Sequence, residues 1–133
     1  MNLNGWRNLE SGKKIEILRE IVHLGKLKLA REMLLEMLGD GDLTVKEQLL
    51  VSELLYDLKD YRSASYGIKK VTILNPDFEL ASVFLFHSLL RDGRSEEAYA
   101  EMRRFIEDYP ENLSEYPRLL DEMTEALDVE SSD

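Results

Sequence analysis

At 133 residues, with 44% hydrophobic and 33% charged side chains, the chain has the composition of one soluble globular domain and not that of a disordered segment or a fibre. It contains no cysteine, which excludes disulfides, thiolate metal sites and a cysteine nucleophile. Its net charge is −10, and residues 107–133 carry ten acidic side chains against one basic, a balance that repels nucleic-acid phosphates and anionic membrane surfaces.

The first ten residues form an N-terminal segment with polar neighbours around Trp6, whose indole is expected to pack on the first helix pair as a lid. They lack the basic stretch followed by an apolar run that marks a secretory signal, and nothing later approaches the ~20 apolar residues of a membrane span. The expected location is cytoplasmic. Helical periodicity then predicts helices over 13–24 and 27–38, with Gly25 at the turn between them. Asp40-Gly41-Asp42 breaks the pattern before helices over 45–58 and 62–74, which Lys59-Asp60 separates. Asn75-Pro76-Asp77 leads into helices over 78–90 and 95–108 around Asp92-Gly93. Tyr109-Pro110-Glu111-Asn112 ends that pair, since proline cannot continue a helix and disfavours helical geometry in the residue before it. Ser114 suits an N-cap and Pro117 the first turn of a seventh helix over 115–128. There Leu119, Leu120, Met123 and Leu127 make one apolar stripe and Asp121, Glu122, Glu125 and Asp128 the wet side, as a terminal cap requires.

The helices repeat. Ala30, Ala64 and Ala98 lie 34 residues apart, and aligning windows 11–44, 45–78 and 79–112 makes whole columns apolar. Ile17, Val51 and Leu85 form one column, and Ile21, Leu55 and Leu89 a second. Leu34, Ile68 and Met102 form a third, and Met37, Val71 and Phe105 a fourth. The alanines are expected where two antiparallel helices approach most closely, because only a methyl-sized side chain fits there. The fold class is therefore all-α, a helical-repeat solenoid of about seven helices, with a capping helix over 113–129 and an acidic tail at 130–133.

This period, the alanine column and the prolines at Pro76 and Pro110 resemble the tetratricopeptide repeat family over residues 11–112. Ser52 keeps the family's small residue in the first helix, where Leu18 and Phe86 stand in the other repeats; Lys14, Gln48 and Ser82 occupy its frequent tryptophan position. The resemblance implies a concave groove, lined by the first helix of each repeat, that takes a peptide or extended segment of a protein partner. The corresponding positions are Ile15, Arg19, Leu49, Leu50, Glu53, Val83, Phe84 and His87, with Tyr56 and Arg91 along the same face. Apart from Arg19 and His87 these lack the polar groups with which some members clamp a terminal carboxylate, so the implied ligand is a hydrophobic or amphipathic segment. An adaptor or chaperone-like protein-binding role follows from the resemblance, and a self-assembling homodimer scaffold is the alternative, because large apolar patches are rarely left exposed on a monomer.

No enzyme is indicated. Gly12-Lys13-Lys14 ends like a phosphate loop, but the earlier glycine is missing and Lys14 stands where a Ser or Thr is required. Asp40-Gly41-Asp42 starts like a calcium loop, but Val45 and Val51 replace its glycine and final glutamate. His23 and His87 have no second metal ligand three or four residues further on, and Glu96, Glu97, Glu101, Asp121, Glu122 and Glu125 are expected on exposed faces. Catalytic, cofactor and metal residues are therefore expected to be none.

Overall fold

The computed structural model describes the backbone of residues 3–39 and 41–131, and the side-chain burial of residues 5–39 and 41–126. Every regular element among them is helical: α1 Leu3–Arg7, α2 Ser11–His23, α3 Leu27–Leu38, α4 Val45–Asp57, α5 Tyr61–Leu74, α6 Glu79–Arg91, α7 Ser95–Asp108 and α8 Glu115–Ser131, with a 3-10 turn at Pro110–Asn112. The seven helices read from periodicity are α2 to α8, within a few residues at each end. The short α1 is additional: it carries Trp6, which is buried with Lys14 Nζ 5.6 Å from its ring centre, so the indole does pack on α2. Asp40 and the side chain of Leu127 lie outside the described residues.

The 34-residue period reappears in backbone geometry. Gly25, Lys59 and Gly93 all have positive φ, at 78°, 66° and 77°. Each sits one residue beyond a helix C-cap, and around each the same pair of bonds closes the helix. The following N–H reaches back to Ile21, Leu55 or Leu89, and the residue's own N–H to Val22, Tyr56 or Leu90. These bonds satisfy carbonyls that a helix end leaves open. At the first-helix starts, Lys14, Gln48 and Ser82 donate to Glu10, Thr44 and Phe78 in turn, again 34 residues apart. Repetition in both sequence and hydrogen bonding makes this an all-α helical-repeat fold.

Lys59 is the strained member of that set, because its Cβ crowds the backbone where the two glycines have none. Lys59→Gly is expected to stabilise the protein by about 0.5–1 kcal/mol, the cost of a non-glycine residue in the left-handed region less the added freedom of the unfolded chain. Urea denaturation checks it. A lower midpoint would mean that Lys59 contributes contacts worth more than its strain.

Two compact units make up the chain, Met1–Val71 and Thr72–Asp133, the division falling within the last turn of α5. In the first, α2, α3 and α4 pack on one another, and the core holds Leu18, Ala30, Leu34, Val51, Leu55, Ala64 and Ile68, each fully buried. Asp60 joins two helices there. Its carboxylate accepts from the N–H of Ser63 at 3.2 Å, capping α5, and from Arg31 on α3 at 2.8 Å. Thr44 and Glu47 form a reciprocal capping box at the start of α4.

In the second unit α6 packs on α7 and on α8. Ala98 is fully buried, as are Phe86 and Phe105. The expected columns hold except at Ile17 and Met102, which are only half-buried because each lies at the margin of its helix's apolar stripe. The cap is anchored differently from its leucine stripe. Leu120 is exposed, Leu119 and Met123 are half-buried, and the fully buried residue is Tyr116, with its ring 5.8 Å from Phe105 and 6.2 Å from Phe86. Ser114 makes no side-chain cap among the described residues; Glu79 reaches over from α6 instead. Its buried carboxylate accepts from the N–H groups of Ser114 at 2.9 Å, Glu115 at 2.8 Å and Tyr116 at 3.2 Å. A negative charge there also meets the positive end of the helix dipole.

Candidate protein-binding face

The residues expected to line a groove divide between the units. In the first, α2 brings Gly12, Ile15, Glu16 and Arg19 onto one face at spacings of three, four and seven residues, and α4 answers with Lys46, Glu47 and Leu50. Together they line a hollow of about 430 Å³. Three of the residues singled out from the sequence, Ile15, Arg19 and Leu50, converge on it. Ile15 is buried and Leu50 half-buried, so they supply its apolar wall, while Arg19 and Lys46 are exposed at its edge. Gly12, Glu16, Lys46 and Glu47 were not anticipated. The available signal was register: Gly12 and Glu16 are neighbours of Ile15 on the helix surface, and Lys46 lies one turn before Leu50.

The other α4 residues lie outside this hollow. Leu49 is half-buried, Glu53 is exposed, and Tyr56 is half-buried, its ring meeting Tyr61 edge-on at 5.0 Å.

In the second unit, Val83, Phe84 and His87 are half-buried along α6, and Arg91 is exposed at its end. Leu80, one turn before Phe84, leaves 59% of its surface exposed. His87 is held below its ordinary protonation range, chiefly by burial and then by the charge of Arg91, with Glu122 of α8 pulling the other way. It is therefore neutral near pH 7, and its imidazole offers one donor and one acceptor. His23 ends α2 and is exposed.

One expected surface carboxylate is placed otherwise. Glu101 is half-buried: it accepts from Ser82 at 2.6 Å and from Arg104 at 2.7 Å, and Ser82 shares a 2.7 Å hydrogen bond with the Tyr116 hydroxyl. It lies one turn after the fully buried Ala98, on the side of α7 that meets α6. This network joins α6, α7 and α8. All its polar atoms find partners within the protein, which makes it structural in character.

Among the described residues, no three His, Cys, Asp or Glu side chains are grouped so as to hold a metal ion, and no helix is long and apolar enough to cross a membrane. No family model matches the chain, and no curated protein and no solved structure does.

Proposed function

We propose that this chain is a protein-interaction module, of adaptor or chaperone type, built from tetratricopeptide-like repeats and acting in the cytoplasm, with no catalytic activity, cofactor or metal of its own. The observation that carries the reading is the hollow between α2 and α4, where the half-buried Leu50, backed by the buried Ile15, forms an apolar wall between charged edges. A half-open apolar wall of this kind gains from receiving a large side chain, about 1.5–3 kcal/mol for each one fully buried, before ordering costs are subtracted. Successive first helices are the elements that present such walls in repeat proteins, and an amphipathic or extended segment is the form of partner that can use them. The partially exposed side chains of Val83, Phe84 and His87 on α6 extend the same reading to the second unit.

The test is affinity capture with the wild-type chain and with two variants chosen to keep the fold, Gly12→Gln in the hollow and the double substitution Leu49→Glu with Val83→Glu on the half-buried faces of α4 and α6 outside it. Helicity should be unchanged in all, and a captured partner should fall by at least about tenfold in both variants. A partner held equally by all three proteins defeats the proposal, and loss of helicity in the second variant would place Leu49 and Val83 in the core.

Self-association is the second reading, carried by Ile73 and Leu74 at the end of α5, which leave 69% and 76% of their surfaces exposed. Such side chains are commonly covered when copies pair. A monomeric mass by light scattering at high concentration, unaltered by Leu74→Lys, would remove it.

A further inference from the structure

The charges around the hollow of the first unit are not equivalent. Glu47 accepts the backbone N–H of Thr44 at 3.0 Å as half of a capping box, so its carboxylate is already engaged. Glu16 faces Lys13 at 3.5 Å. Arg19 and Lys46 have no ion pair or side-chain hydrogen bond among the described residues, whereas the other arginines of the same unit that reach a carboxylate do so closely, Arg7 to Glu36 at 2.7 Å and Arg31 to Asp60 at 2.8 Å. Two cations are thus left unpartnered beside an apolar wall, in a protein with 27 acidic side chains against 17 basic. Glu16 and Glu47 line the hollow too, but each has a partner of its own, and the charge of the unit as a whole is near balance. Residues 1–71 carry 12 basic against 11 acidic side chains, so the acidic excess belongs to the other unit.

We infer that the partner of this hollow is an acidic amphipathic segment, one that sets a leucine- or phenylalanine-sized side chain against Ile15 and Leu50 and places side-chain carboxylates beside Arg19 and Lys46. The inference rests on the reading of the hollow as a protein-binding site and names the chemistry of what it takes. The apolar wall requires a hydrophobic anchor, which a bare phosphate or a free terminal carboxylate does not supply. The two cations favour flanking Asp or Glu over Lys or Arg, so charge sets specificity and encounter rate while the anchor holds the complex.

Two synthetic peptides with blocked ends test this by fluorescence anisotropy: one with leucines at helical spacing and glutamates between them, the other with each glutamate replaced by glutamine. The acidic peptide should bind the full chain about three- to tenfold more tightly at low salt, the yield of two exposed ion pairs, and the difference should shrink as salt is added. Arg19→Gln with Lys46→Gln should remove that preference, so that the acidic and neutral peptides bind this variant equally. Gly12→Gln should abolish binding of both. A Cβ at Gly12 meets nothing within 4 Å, so this substitution fills the hollow without disturbing the core or changing the charge.

Equal binding of the two peptides, or a preference that survives the double substitution, overturns the acidic assignment; if Gly12→Gln still blocks both, the hollow remains a binding site of other preference. Peptides that bind regardless of Gly12→Gln overturn the site itself. A doubled mass in light scattering that Gly12→Gln restores to monomer would instead make a second copy the occupant and overturn the partner named here.

Discussion

Tyr116→Ala is expected to be the most destabilising single substitution in the second unit, at about 3–5 kcal/mol, the range for removing a large buried ring. Tyr116 is fully buried, with its ring between Phe86 and Phe105. The cavity would open beneath the first turn of α8, where Glu79 already binds three backbone N–H groups, so the cap and the repeat beneath it should loosen together. Tyr116→Phe keeps the ring and removes only the hydroxyl bonded to Ser82, which still donates to Glu101, so it should cost about 0.5–1.5 kcal/mol, the net contribution of one hydrogen bond. Burial also pushes the Tyr116 phenol above its ordinary value of 10.0. The neutral form is therefore favoured in the folded protein, and its contribution is complete below about pH 10 and lost as the pH rises further, because the unfolded phenol ionises first. Urea titrations at neutral and alkaline pH check both points. A cost for Tyr116→Ala under about 1 kcal/mol would show that α8 is not anchored by this residue. Tyr116→Phe should flatten the alkaline fall in stability, and an unchanged slope would assign that fall to other groups.

Gly67→Ala is expected to destabilise the first unit by about 1–3 kcal/mol, the usual cost of overpacking. Helix propensity alone argues the opposite sign, because alanine exceeds glycine by about 1 kcal/mol in a helix interior. Contact decides. A Cβ at position 67 would lie 2.3 Å from Ser52 Oγ and 2.7 Å from Leu38 Cδ1, so α4 and α3 both have side chains in its place. Both are chain ends, but neither moves freely: Ser52 is fully buried with its hydroxyl donated to the Gln48 carbonyl at 2.8 Å, and Leu38 is buried. Thermal melting of Gly67→Ala and of Gly67→Ala with Ser52→Ala separates the terms. The single variant should melt lower, and the double should recover part of the loss. A single variant that melts higher would mean that the helices separate at little cost and that propensity outweighs the contact.

Much of the fold was legible because it repeats. The 34-residue spacing of alanines located three helix pairs to within a few residues, and Gly25 and Gly93 marked turns that do adopt the left-handed geometry only glycine takes easily. Lys59 occupies the equivalent turn without the residue that would advertise it, and only the alignment of repeats pointed there. The repeat register also placed Ile15, Arg19 and Leu50 on neighbouring faces of α2 and α4, where they line one hollow, although Ile15 is itself buried.

What the amino-acid sequence determined by itself is whatever depends on neighbours three, four or 34 residues away: helix extents, turns and the buried alanine column. Tertiary structure alone decided which polar groups meet across larger separations. Glu79 binds the start of α8 some 35 residues on, and Ser82 links Glu101 to Tyr116. Gly67 is small because Ser52 and Leu38 fill its Cβ position, and Arg7 and Arg31 each have a carboxylate brought to them whereas, among the described residues, Arg19 has none. Such pairings leave no periodic trace, since a hydrogen bond or a close approach depends on where a distant helix lies and not on the spacing of residues along its own.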